Sequence, residues 1–185
     1  MKTVIEPVPL SSKGKTFVYL NALGLVALWG IGIYAFLSLA DQVPIHFDAV
    51  GKPTTYGNKL TLLNIAMALS ALPIFFILLA RYRFTLINKY PYLINLPTFF
   101  LHINKISPKR RGFWVNRYFE ILLLVGVVLT FYLVALMMML FLGAAAESLP
   151  SWFATFTIVP PLALLIPTLF LMRTLTKELK NEAGS

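Results

Sequence analysis

Four long apolar runs alternate with polar, basic stretches along the chain. The runs cover residues 17–40, 61–80, 119–142 and 151–172. No charged residue lies inside them except Glu120, at the edge of the third. A helix that crosses a bilayer needs about 20 such residues, so each run predicts a transmembrane helix. The first also resembles a secretion signal, with Ser38 and Ala40 in a small-x-small pattern. It is too long for that, because the apolar core of a signal peptide has only about 7–15 residues. Pro73 in the second run and Pro160, Pro161 and Pro167 in the fourth predict distorted helices, since proline lacks the amide that a helix interior needs.

The stretches between the runs differ in kind. Residues 41–60 are polar and rich in turn formers, with Gly51, Pro53 and Gly57, and predict an ordered loop. Val43 and Ile45 can begin a short extended piece, although Pro44 weakens it. Residues 81–118 interleave Arg81, Arg83, Lys109, Arg110, Arg111 and Arg117 with aromatic residues such as Trp114. Apolar residues with basic flanks suit the headgroup region of a membrane. Pro91, Pro97 and Pro108 divide the stretch into one or two short interfacial helices rather than a fifth span.

Composition agrees with a bilayer as the main solvent. The 185 residues are 58% hydrophobic and 12% charged, whereas a soluble domain carries about 25% charged residues. The formal net charge of +9 does not point to nucleic acid, because the basic residues sit between apolar runs, where they orient a membrane protein. Counted along the chain, the five non-span stretches hold three, two, eight, no and three lysines and arginines. Alternate stretches therefore place 14 on one side and 2 on the other. The positive-inside rule puts the richer side in the cytoplasm. The expected fold is a single all-α domain over residues 1–185. It is an integral membrane four-helix bundle in the cell membrane with both termini cytoplasmic, a short ordered extracytoplasmic loop and interfacial cytoplasmic helices.

Candidate chemistry is sparse. The chain has no cysteine, which excludes disulfides, thiolate metal sites and cysteine nucleophiles. Neither HExxH nor GxSxG occurs. The two histidines, His46 and His102, fall on opposite sides by this topology and cannot share a metal. No cofactor or metal is expected, and an enzyme is the least favoured reading. Gly24, Gly30 and Gly32 permit close helix approach without the four-residue spacing of a GxxxG dimer motif. Carbonyls freed by the prolines of the fourth run offer either coordination or a packed kink.

The most specific constellation is in the outer stretch: Pro44-Ile45-His46-Phe47-Asp48, Gly51-Lys52-Pro53 and Tyr56-Gly57. The prolines hold φ, Gly51 and Gly57 allow positive φ, and Asp48 can bond its own local backbone. Two readings stand for it, a rigid cap satisfied internally and a ligand-contact loop.

This string resembles a bacterial membrane family, the domain of unknown function sixteen forty-eight that occurs in SdpI-type immunity proteins. A looser match follows at Tyr90-Pro91, Asn95 and Pro97, with Arg117 leading into the third run. The resemblance implies protection against a secreted peptide, or reception of one in signalling, with the loop residues Pro44, His46, Phe47, Asp48, Gly51, Pro53, Tyr56 and Gly57 as ligand motif. Arg81, Arg83, Lys109, Arg110, Arg111, Trp114 and Arg117 are the expected contacts to cytoplasmic lipid or a partner. The partners expected are membrane lipids and either an extracellular peptide or other membrane subunits. Three functional readings follow: a receptor for an external peptide, an accessory subunit of a larger membrane complex, and an enzyme or transporter for a lipid-like substrate.

Overall fold

The computed structural model describes residues 4–94 and 97–184. The order of elements is helix α1 (Ser12–Ser38), strands β1 (Gln42–Phe47) and β2 (Pro53–Asn58), helices α2 (Leu60–Leu69) and α3 (Ala71–Lys89), then α4 (Pro97–Ile103), α5 (Pro108–Ala146), α6 (Phe153–Ala163) and α7 (Leu165–Gly184). With α2–α3 and α6–α7 taken as broken single helices, four helices are long and apolar enough to cross a membrane. The chain is therefore mostly helical and has the build of a multi-pass membrane protein.

The helices outrun the apolar stretches. α5 has 39 residues, and at 1.5 Å per residue it is about 58 Å long, well beyond the roughly 30 Å of a hydrocarbon core. Its first turns carry Lys109, Arg110, Arg111 and Arg117. These basic residues thus prolong a spanning helix instead of forming a separate surface piece. Pro108 begins it at a position where its missing amide costs nothing. Among the described residues, α4 and a 3₁₀ turn at Pro91–Leu93 are the elements in the remainder of the connection. Asn95 of the looser motif lies outside the described residues, as does Lys2.

Each proline leaves a local mark. Pro73 cannot bond back to the Leu69 carbonyl, and the second helix breaks at Ser70 just before it. The Ser70 hydroxyl donates to the Ala66 carbonyl at 2.7 Å and covers part of the break. Pro160 and Pro161 free the carbonyls four residues back, those of Phe156 and Thr157. Both accept from the Tyr132 hydroxyl of α5, at 3.2 and 2.8 Å. The two carbonyls freed by Pro160 and Pro161 are thus held by a neighbouring side chain, which also pins α6 to α5. Replacing Tyr132 by phenylalanine leaves both carbonyls unpaired, a cost of about 1–3 kcal/mol. The expected result is a lower unfolding midpoint in mild detergent, with faster hydrogen exchange confined to α6.

The bundle is centred on α5, which packs along α1 and α3, while α2 closes on α1. Gly24 of α1 faces Thr130, and Gly32 faces Ala66 of α2 and Met137 of α5. Gly30 has open space in front of it, so two of the three expected close approaches exist. A third is Gly126, where any Cβ would overlap the Phe76 ring. Inside the bundle, buried Asn21 donates to the Phe17 and Leu123 carbonyls and accepts from Thr130. In an apolar medium such bonds replace the alternative of an unpaired amide. α7 packs against α4 and α5 at the basic end, and the apolar part of α6–α7 is otherwise unburied.

Candidate functional site: the hairpin and its cleft

Residues 41–60 are a β-hairpin rather than a loop, which corrects the all-helical expectation. β1 and β2 pair antiparallel, with Val43 opposite Gly57, Pro44 opposite Tyr56, His46 opposite Thr55 and Phe47 opposite Pro53. Pro44 is tolerated because both strands of a two-stranded ribbon are edges and an outward amide is not needed. The register shifts on either side of His46, so Ile45 bulges out of the pairing. Gly57 has no positive φ. Its missing Cβ instead makes room for Ile45, whose Cδ1 would lie 2.6 Å from one. The bulge resets strand alternation: Val43 and Pro44 are both buried, and His46 is exposed.

The turn closes on Asp48. Its carboxylate accepts from the amides of Val50 and Lys52 at 3.0 and 2.8 Å, and its carbonyl accepts from the Gly51 amide at 3.0 Å. Asp48 is therefore engaged within the turn, as in the cap reading. Gly51 has φ of +83°, a conformation that only glycine adopts without strain.

Three contacts dock the hairpin on the helices. Val43, 2% exposed, enters the cluster of Leu28, Ala35, Leu62, Ala66, Met137 and Ala144. The Leu149 amide donates to the Gly51 carbonyl at 2.8 Å. The Tyr56 hydroxyl donates to the Glu147 carboxylate at 2.9 Å. That bond holds the Tyr56 phenol above its ordinary value, so it remains protonated and donating. At the hairpin base, Lys59 pairs with Asp41 at 3.1 Å and donates to the Leu39 carbonyl.

Between the hairpin and α6 lies an open cleft of about 400 Å³. One wall is His46, Phe47 and Asp48, and the other is largely apolar, with Leu140, Phe153 and Ile158. His46 is exposed and has no hydrogen-bond partner among the described residues. Pro53, half-buried, starts β2 and supports the turn from the other side. The eight motif residues thus play different parts. Pro44, Gly51, Pro53, Tyr56 and Gly57 build and dock the ribbon, Asp48 closes its turn, and His46 and Phe47 face the cleft.

The basic residues at the opposite end also divide. Arg83, 9% exposed, lies inside the protein. It donates to Asn116 at 2.7 Å, to the Ala80 carbonyl at 2.7 Å and to the Val8 carbonyl at 2.6 Å. Trp114 is 3% exposed in the core beneath α4 and α7. Both differ from the expected lipid or partner contact: each fills an internal space at the head of α5. Arg110 and Arg117 pair with Glu182 and Glu178 of α7 at 2.7 and 3.2 Å. Arg111 donates to the Ile106 and Asn104 carbonyls. Arg81 and Lys109 are exposed.

Several working residues carry no motif to mark them. Asn88 exchanges two bonds with Ile5, both at 2.9 Å, and Asn116 donates to the Pro9 carbonyl at 2.6 Å. With Arg83 they strap the N-terminal segment across α3 and α5. Their signal in the sequence is polarity out of place, an asparagine or arginine beside an apolar run.

Residues 23–73 match the family described as Domain of unknown function (DUF1648). A relative in Archaeoglobus fulgidus, described as an uncharacterized protein, is 33% identical over 180 residues. The alignment covers 97% of this chain and 98% of the relative. The chain belongs to the DUF1648 domain family. The family match spans most of α1, the whole hairpin, α2 and the start of α3, so every motif residue from Pro44 to Gly57 falls within it. The archaeal relative extends the likeness through α5, α6 and α7. No solved structure matches the chain.

Proposed function

We propose that this DUF1648-domain protein is a multi-pass receptor of the cell membrane that binds an external peptide or similar amphiphile between its hairpin and α6, in the manner of SdpI-type immunity and signalling proteins. The basic end and both termini are cytoplasmic and the hairpin faces outward, a reading supported by the uneven lysine and arginine distribution. One observation carries the binding reading. His46 is exposed and without a hydrogen-bond partner among the described residues, at the rim of a cleft whose far wall is apolar. A polar group beside apolar surface suits an amphipathic ligand, and the docked hairpin supplies it without ordering cost at binding. Asp48 is committed to its turn, which favours binding over acid-base catalysis by a His–Asp pair.

The cysteine-free sequence allows a direct test. A single cysteine at position 46 is expected to react with a membrane-impermeant maleimide on intact cells, and one at position 109 only after lysis. A photoreactive side chain at position 46 is expected to crosslink a secreted peptide, and Phe153→Trp, which fills the cleft, to abolish that product. Labelling of position 109 from outside, or crosslinks to lipid alone, would overturn the proposal.

The reading as an accessory subunit rests on a different feature. The outward face of α6–α7, including Val159, Leu162, Ile166 and Phe170, is exposed and can seat another membrane protein. Stoichiometric membrane subunits recovered with the tagged chain in mild detergent would favour it.

A further inference from the structure

At the basic end, α1 and α7 stand apart on either side of α5 and leave a lateral groove. Its inner part is a slot of about 210 Å³ lined by Phe17, Ile121, Leu124 and Leu171. The slot opens into a wider hollow of about 610 Å³ around Ser11, Lys13, Phe113 and Arg117. An adjoining cleft adds Lys109 and the strapped Val8–Pro9 segment as a third wall.

The charges facing this groove are mixed, and their pairing decides its character. Arg110 and Arg117 are matched by Glu182 and Glu178. The Glu120 carboxylate, buried below the rim, accepts from the Ser11 hydroxyl at 2.5 Å. Lys13 rests over the Phe17 ring at 5.7 Å and has no acidic partner among the described residues. Lys109 has none either. The Ser11 bond leaves Glu120 charged, so the three clefts together present four cations against three carboxylates, and the excess sits on the exposed Lys13 and Lys109 at the rim. An apolar slot beneath an unneutralised cationic rim, on the flank of spanning helices, is complementary to an anionic head joined to a hydrocarbon tail.

We propose that this groove is a discrete binding site for an anionic phospholipid, with the headgroup phosphate against Lys13 and Lys109 and one acyl chain in the slot past Phe17 and Leu171. The site is separate from the hairpin cleft and does not depend on what that cleft binds. It uses the N-terminal strap as a wall, so lipid occupancy and the seating of residues 5–11 support one another.

The test uses delipidated full-length protein in mild detergent, titrated with phosphatidylglycerol or phosphatidylcholine and read by native mass spectrometry. The expected result is one saturable phosphatidylglycerol adduct, preferred over phosphatidylcholine by about tenfold or more. Replacing both exposed lysines, Lys13→Glu with Lys109→Glu, is expected to remove that preference while the unfolding midpoint of the lipid-free protein stays unchanged. Leu171→Trp, which fills the slot and leaves every charge in place, is expected to remove the adduct. Equal binding of the two lipids would overturn the proposal, as would a wild-type adduct on either variant. So would a protein subunit, rather than lipid, crosslinked to position 171 in native membranes.

Discussion

Replacing Arg83 by alanine is expected to destabilise the protein by about 3 kcal/mol or more, because it strips three acceptors of their donor inside the protein. Arg83 joins α3, α5 and the N-terminal segment at one point, through the Ala80 carbonyl, Asn116 and the Val8 carbonyl. Its guanidinium reaches all three from one planar fork. A lysine keeps the charge but not that geometry, so Arg83→Lys is expected to recover only a minor part of the loss. Unfolding in mild detergent measures the total, and hydrogen exchange shows where it falls. The Ile5 amide, held by Asn88, is expected to lose protection once the Val8 carbonyl is released, because the strap is cooperative. A variant whose stability matches the wild type would show that the strap is ornamental.

The second large effect concerns Gly51. Its positive φ of +83° penalises any side chain, a β-branched one most, by about 1–2 kcal/mol. Its Cβ position is also filled by the Leu149 carbonyl. Gly51→Val therefore has to separate the hairpin tip from the α5–α6 connection and break the 2.8 Å bond from the Leu149 amide. The expected loss is local, since the Val43 cluster and the helices do not depend on that contact. The Leu149 amide should exchange freely, and the turn should become open to elastase after Ala49, while the global stability falls by only about 1–2 kcal/mol. Gly51→Ala discriminates the causes. It carries the overlapping Cβ with less backbone strain, so it too is expected to undock the tip. Retained protection of Leu149 in that variant would refute the account of the docking.

The eight motif residues illustrate how a pattern can be legible while its meaning is not. Proline and glycine at residues 44–57 announce an ordered turn whatever surrounds them, because their restrictions are covalent. That the turn is a ribbon with a bulge at Ile45 depends on Gly57 lying opposite it, a pairing that no local rule specifies. Asp48 behaves as its chemistry suggests and closes its own turn. Tyr56 does not, since its partner Glu147 is 91 residues away.

The basic end makes the same point in the other direction. Arginines next to apolar runs look alike in sequence, and the rule that places them on the cytoplasmic side treats them alike. Which one turns inward is decided by what faces it: Arg83 meets Asn116 and the Val8 carbonyl, whereas Arg81, two residues earlier on the helix, is exposed.

Four apolar runs long enough to span and the uneven basic distribution follow from the sequence by itself, because burial of an apolar run in lipid and the satisfaction of backbone bonds within one helix are local properties. Three features belong to the tertiary structure alone: the hairpin's docking on α5, the internal fate of Arg83 and Trp114, and the Tyr132 hydroxyl on the proline-freed carbonyls. Their deciding links join distant residues, Tyr56 with Glu147, Arg83 with Asn116 and Tyr132 with Phe156, and such pairings are selected by packing against the whole bundle rather than by any neighbouring residue.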